Sequence, residues 1–279
     1  MKNFSIPDIS SRANVLSKIT NHGQTLIYED HRTILTVLFA LQKQLDKTGP
    51  IDIVMFDKHD DFMDPSPEAL EKIAEFIKKP SLAKLYTLVE FDLNGIDDDW
   101  VKAGMELGLI GNVFLFNAEV SQIDFVKEYQ TLRFGIKKMY NIGAVWDALD
   151  GRGYLSDLHR LNLLDKLWED FGWTFEDAKF HFKNDRNPYI LDIDLDCFTC
   201  NVYCKTVAIA SEILEQKLYE GISSTHHSYY DSVSFVKKLA EDSCVNTICF
   251  ESNYCGGIRQ AHQIFNKIDE LFFDSELGG

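Results

Sequence analysis

The chain has 279 residues, 45% of them apolar, and no Pro/Gly/Ser-rich linker or low-complexity tract divides it. It is long enough to bury a substantial core, and one domain spanning residues 1–279 is the expected organisation. Its 44 acidic against 28 basic residues give a formal charge of −16, which argues against nucleic acid as the main partner and is compatible with cationic substrates or divalent metal ions; most of these charges are read as a solvated surface.

The N-terminal run Met1-Lys2-Asn3-Phe4-Ser5-Ile6-Pro7 does not resemble a signal peptide, and no apolar run reaches ~18–20 residues. No membrane partner is expected, and a soluble cytoplasmic protein is. In chain order, an apolar run at 25–28 reads as a strand and 31–45 as a helix. A strand at 51–56 and a helix at 67–78 follow, then a strand at 85–91, a helix at 98–109 and a strand at 112–116. A helix at 158–171, a strand at 189–194, helices at 207–219 and 232–240, a strand at 247–250 and a helix at 258–272 complete the pattern. Ser66 before Pro67, with Glu68 in the first turn, marks one helix start, because serine accepts an orphan amide hydrogen bond and proline has none to lose. Strands alternating with helices predict an α/β fold with a mainly parallel sheet flanked by helices in three layers.

The six cysteines, at 197, 200, 204, 244, 249 and 255, lie in the last third of the chain and form no evenly spread disulfide framework. Cys197-x2-Cys200-x3-Cys204 partly resembles a zinc or iron–sulfur arrangement but lacks the fourth ligand and the usual following proline, so reduced structural or incidental thiols are the expectation.

Two acidic runs carry the chemistry: Asp57-Lys58-His59-Asp60-Asp61 after Ile53-Val54-Met55-Phe56, and Asp192-Ile193-Asp194-Leu195-Asp196 after Tyr189-Ile190-Leu191. In an extended strand, side chains two apart share a face with Cα atoms ~6.6 Å apart, so Asp57, His59 and Asp61 can converge from one edge. Alternate carboxylates left unpaired repel one another and resist desolvation, and a cation is the simplest counter-charge. Carboxylates with one or two imidazoles favour Mn or Mg over thiolate-loving ions, and two such ions about 3.5–4 Å apart can activate one water. In doubly wound sheets ligands gather beyond the carboxyl ends of strands, where both runs and Glu251 fall. Taken alone, His31 reads as a surface or capping residue and Glu251 as an ordinary strand-end carboxylate. The pair His226-His227 reads equally as a polar loop over the site or a plain surface loop.

Read together, Glu29-Asp30-His31, Asp57-x-His59-x-Asp61, the 192–196 run and Glu251 resemble, in order and residue type, the ureohydrolase superfamily of arginases and agmatinases. Those enzymes hold two Mn ions on a Gly-Gly-Asp-His turn, an Asp-Ala-His-x-Asp strand end and a Ser-x-Asp-x-Asp-x-x-Asp-Pro strand end, and a later glutamate pairs with the guanidinium. This chain departs from that pattern at Tyr28-Glu29, at Lys58 and at Thr199-Cys200, which stand where the family has Gly-Gly, Ala and Asp-Pro. Its details, including Asp192-Ile-Asp-Leu-Asp-Cys-Phe198 and Gly108-Leu109-Ile110, are more similar to the divergent peptide arginases, which convert arginine to ornithine in ribosomally made precursor peptides.

The resemblance implies an arginase-like fold and two Mn2+ per chain. His31, Asp57, Asp61 and one aspartate of the later run would hold the first ion. Asp57, His59 and two aspartates of that run would hold the second. Asp194 bridging with Asp196 terminal is the favoured register, and Asp192 with Asp194 is the alternative. It further implies a hydroxide bridging the two Mn ions that attacks the guanidinium carbon, Glu251 orienting the cation, Asp61 passing the proton to the leaving amine, and urea and ornithine as products. An arginine-containing precursor peptide is the partner it implies. Asp97, in 94–99, and His226 and His227, in 223–230, are the candidates for reading the rest of the substrate.

Rival readings share parts of this pattern. A ureohydrolase acting on free arginine, agmatine or another guanidino compound needs the same metal ligands. A phosphatase built on an Asp-x-Asp pair leaves Asp57-x-His59-x-Asp61 unexplained, and a one-zinc deacetylase leaves the second ion's ligands unexplained. A non-catalytic acidic module that docks a basic peptide is the non-enzyme reading.

Overall fold

The computed structural model describes residues 15–45, 49–95, 98–117, 126–141, 173–176, 179–182, 187–219, 222–223, 229–230 and 232–278. Its strands are β1 (Leu16–Thr20), β2 (Gly23–Tyr28), β3 (Ile51–Asp57), β4 (Ile110–Asn117), β5 (Val126–Gln130), β6 (Ile136–Asn141), β7 (Trp173–Glu176), β8 (Lys179–Phe182), β9 (Tyr189–Asp194), β10 (Thr199–Val202), β11 (Lys205–Ala208), β12 (Ile222–Ser223), β13 (Tyr229–Tyr230) and β14 (Asn246–Cys249). Its helices are α1 (Ile34–Gln44), α2 (Pro67–Lys78), α3 (Leu82–Phe91), α4 (Trp100–Glu106), α5 (Ser211–Tyr219), α6 (Ser232–Asp242) and α7 (Ile258–Phe272). The expected helix at 158–171 lies outside the described residues.

Eight strands form one sheet in the order β1-β2-β14-β9-β3-β4-β6-β5. From β2 to β6 all neighbours are parallel, and β1 and β5 close the two edges antiparallel. Every residue of β3 and β9 is buried, as a parallel strand covered on both faces requires. Alternation sorts their side chains between two cores. Ile51, Ile53, Met55 and Ile190 pack with α1 to α4, whereas Val54, Phe56, Leu191 and Ile193 pack with α5 to α7. This is the expected three-layer α/β fold, with a mostly parallel sheet between two helical layers.

Several boundaries follow their local chemistry. Ser66 accepts from the Ala69 N–H at 3.0 Å and Pro67 occupies the first turn of α2. The strand expected at 85–91 is instead part of α3. Ser81 caps that helix, and Leu85, Leu88 and Val89 form one buried stripe at helical spacing, which a short apolar run does not distinguish from a strand. The helix expected at 207–219 begins only at Ser211, because 205–208 pairs with β10 in a hairpin.

At the opposite end of the sheet from the acidic runs, Asp52 is buried and its Oδ1 accepts from the Asn112 N–H at 2.7 Å, where the β3–β4 register slips by one residue. A Cβ at Gly111 would overlap that Oδ1. Burial pushes the Asp52 carboxyl up to about 6. Because this folded value lies above the unfolded one, the stability it confers is complete below about pH 4 and is lost as pH rises through about 6. Asp52→Asn should therefore gain on the parent by about 2–3 kcal/mol between pH 4 and pH 7, read by urea denaturation at both pH values.

Candidate metal centre

The carboxyl ends of β2, β14, β9 and β3 coincide, since Cys249 pairs with both Tyr28 and Asp194, and Ile193 pairs with Phe56 beside Asp57. Each end then delivers residues to one place. After β2, Asp30 accepts from the Arg32 backbone N–H at 3.0 Å and from its guanidinium at 2.6 Å, fixing the short 3-10 turn His31–Thr33. That turn buries His31 completely, its ring centroid 4.7 Å from that of buried Trp100.

The chain leaves the strand at Asp57, where the His59 N–H folds back onto Asp57 Oδ1 at 2.7 Å. Asp61 then adopts the left-handed region, with φ of 48°. The expected alternation along a continuing strand is thus corrected, and this turn sends His59 and Asp61 to different groups. After β9, Asp194 caps a second 3-10 turn, Leu195–Phe198, accepting from the Asp196 N–H at 2.9 Å. After β14, Glu251 is held at φ of 35°, its N–H donating to the Glu29 carbonyl at 3.2 Å, while the Ser252 N–H donates to Glu29 Oε1 at 2.8 Å. Two side-chain-bearing residues of this site, Asp61 and Glu251, thus occupy a region costly to non-glycine backbone.

Three overlapping groups of potential ligand atoms result, each with all atoms within 4.8 Å of one another: His31, Asp57 and Asp61; Asp57, His59 and Asp196; and His31, Asp194, Cys249 and Glu251. Asp192 belongs to none of them. Its Oδ2 lies 2.7 Å from His31 Nε2 and its Oδ1 accepts from the Thr247 hydroxyl at 2.5 Å, with the Tyr28 hydroxyl 3.4 Å away. It orients the imidazole from behind. Asp97, His226 and His227 lie outside the described residues.

Electrostatics make the case for cations. With its Nε2–H directed at Asp192, a neutral His31 ring would present the Nδ1 lone pair to the cluster. Facing it are Asp194 Oδ2 at 3.2 Å and the Oδ2 atoms of Asp57 and Asp61, both at 3.4 Å. None is placed for a hydrogen bond, and His31 Nδ1, Asp57 Oδ2, Asp194 Oδ2 and Glu251 Oε1 are all buried without a hydrogen-bond partner. Asp196 Oδ2 sits 3.0 Å from His59 Nδ1 but also out of line for a hydrogen bond. One lone pair and several acceptor-only oxygens aimed at common points need positive charge between them.

Without metal, protons take that place. Burial, reinforced by Asp61, Asp194 and Asp196, holds the Asp57 carboxyl well above its usual range. Burial and the Asp196 charge push Asp194 up to about 6, and burial with the Asp194 charge pushes Glu251 up to about 11. For His31 burial alone acts downward, but Asp192, then Asp194 and Asp61, outweigh it and hold the imidazole well above its ordinary value. His59, half exposed, is raised chiefly by Asp196. The buried His/Asp/Glu cluster can chelate two metal ions, and its donors suit hard divalent cations.

The supporting shell was not legible as such in the sequence. Trp100 donates its indole N–H to Asp61 Oδ2 at 2.6 Å. Thr247 and Tyr28 flank Asp192, and Glu29 holds the Glu251 turn. Cys249 carried one usable signal, since it stands two residues before Glu251 on a strand. Trp100→Phe removes the donor to Asp61 and should weaken metal affinity by about 10–100-fold, measured by metal titration of the chelated protein.

No protein-family model matches the chain, and no curated protein matches it. Among solved structures the chain is similar to the proclavaminate amidino hydrolase from Streptomyces clavuligerus, with a TM-score of 0.41 and 13% sequence identity over 91% of this chain and 64% of that one. The chain thus spans less than two thirds of the length of that structure.

Proposed function

We propose that this protein is a binuclear-metal hydrolase of guanidinium groups, acting on arginine side chains of a precursor peptide to leave ornithine and release urea. The observation that carries the metal-dependent part is the unpartnered His31 Nδ1 facing the unpartnered oxygens of Asp57 and Asp194 inside a buried cluster. His31, Asp57, Asp61 and Asp194 would hold one ion, and Asp57, His59, Asp194 and Asp196 the other. Two divalent ions so placed supply a water acidic enough to act as a nucleophile near neutral pH.

The protein's own groups do the rest. Glu251 Oε1 is a buried acceptor without a partner, which suits the N–H edge of a planar cation and would orient it by charge-assisted hydrogen bonds. Asp61 Oδ2 is fixed by the Trp100 indole, leaving Oδ1 to carry a proton to the leaving amine. His59 is half exposed and lies beside Tyr254, with ring centroids 6.0 Å apart, which would give substrate an approach to the cluster from that side. The peptide as substrate rests on the motif resemblance.

The test is urea release by Mn-loaded protein offered an arginine-containing peptide, free arginine or agmatine, with the peptide followed by mass. Loss of the mass of a guanidine-to-amine conversion from the peptide alone is the expected result. Turnover of a free guanidino compound alone would replace the substrate. Full urea release by Asp57→Ala would remove the assignment of the centre.

A further inference from the structure

The donors assigned to the two ions are carboxylate oxygen and imidazole, yet one of the three ligand groups contains sulfur. Cys249 ends β14 directly beside Asp194 in register, and its thiol lies within 4.8 Å of ligand atoms of His31, Asp194 and Glu251. The same alternation that puts Thr247 onto Asp192 puts Cys249 onto the next position, toward the cluster. Its side chain is completely buried, and three polar atoms of its group, His31 Nδ1, Asp194 Oδ2 and Glu251 Oε1, are buried without a hydrogen-bond partner. The thiol contacts the Glu29 carbonyl at 3.4 Å, a weak hydrogen bond that leaves the sulfur lone pairs available.

Resting on the reading of this cluster as a metal centre, we propose that Cys249 is a sulfur donor to the ion held by His31 and Asp194, giving that inner position an affinity for thiophilic divalent ions that the outer position, with Asp57, His59 and Asp196, lacks. Binding exchanges the S–H bond for a sulfur–metal bond and releases the proton to solvent. The two positions then differ in softness: the inner one accepts Co2+, Zn2+ or Cd2+ with a thiolate, and the outer one remains a carboxylate and imidazole site. The inert alternative is a core thiol, since Cys249 also packs among the apolar residues of the α1 to α4 layer.

The experiment uses chelated full-length protein in which Cys200, Cys204 and Cys244, the cysteines that are not fully buried, are replaced by serine to remove adventitious thiolates. Co2+ is titrated into this parent and into its Cys249→Ser and Cys255→Ser variants, while absorption is followed and protein-retained cobalt is counted. A near-ultraviolet sulfur-to-cobalt charge-transfer band in the parent and in Cys255→Ser, lost in Cys249→Ser although cobalt is still retained, is the expected result. Retained cobalt with no such band in the parent, or a band that survives in Cys249→Ser, overturns the inference and leaves the metal centre standing. No retained cobalt in any protein overturns the centre and the inference together. Should Cys249→Ser fail to fold, X-ray absorption of the Zn2+-loaded parent decides: a sulfur neighbour supports Cys249, and nitrogen and oxygen alone exclude it.

Discussion

Divalent ions bound at this cluster should raise the thermal midpoint of the protein by roughly 5–10 °C for each site filled at about 100 times its Kd, and a chelator should reverse the gain, because such binding contributes about 2.7 kcal/mol. The gain should be larger at pH 8 than at pH 6. Asp57, Asp194 and Glu251 all have folded values above their unfolded ones, with Asp194 at about 6 and Glu251 at about 11. Carboxyls raised in this way give their full stability below about pH 4, and lose it as pH rises through the folded values. The metal-free protein therefore weakens across this range, while a bound cation reverses the repulsion and binds more tightly as competing protons leave. Thermal unfolding with Mn2+ and with a chelator, at both pH values, measures the gap. A gap of zero, or one that narrows toward pH 8, would show that the cluster is held together by protons and not by metal.

How much of this was legible depended on whether the deciding contact was local. The runs ending in Asp57 and Asp194 announce buried parallel strands because nearly every residue is apolar or β-branched up to the carboxylate. The limits of α2 and α7 fall where expected, α2 on the strength of Ser66 and Pro67 and α7 on its apolar period. Local reasoning failed at 85–91, where a stretch of apolar residues fits either period and the packing of Leu85, Leu88 and Val89 decides. It failed again after Asp57, where nothing in Lys58-His59-Asp60-Asp61 signals the left-handed Asp61 that separates it from His59. The register of 192–196 could not be read from spacing. The contact that places Asp192 on His31 spans 161 residues, and the Thr247 hydroxyl that secures Asp192 comes from a neighbouring strand. Trp100 likewise reaches Asp61 across 39 residues, with no local pattern to announce it.

Asp194→Asn separates stability from function most sharply. Asparagine keeps the volume and the Oδ1 acceptor that receives the Asp196 N–H at 2.9 Å, so the turn after β9 survives. The substitution removes one negative charge from beside Asp57, Asp196 and Glu251, and with the amide turned over its oxygen can instead face His31 Nδ1, from which Asp194 Oδ2 lies 3.2 Å. A carboxyl held at about 6 in the fold costs the ionised protein about 1–3 kcal/mol near neutral pH, which the amide does not incur. The metal-free variant should accordingly be more stable than the metal-free parent at pH 7 by about that amount. Its metal affinity should fall by more than the roughly 100-fold seen for losing a supporting contact, and urea release should fall with it. Paired denaturation and metal-titration curves test both halves. If Asp194 served only packing and capping, the variant would be no more stable than the parent without metal and would bind metal as the parent does.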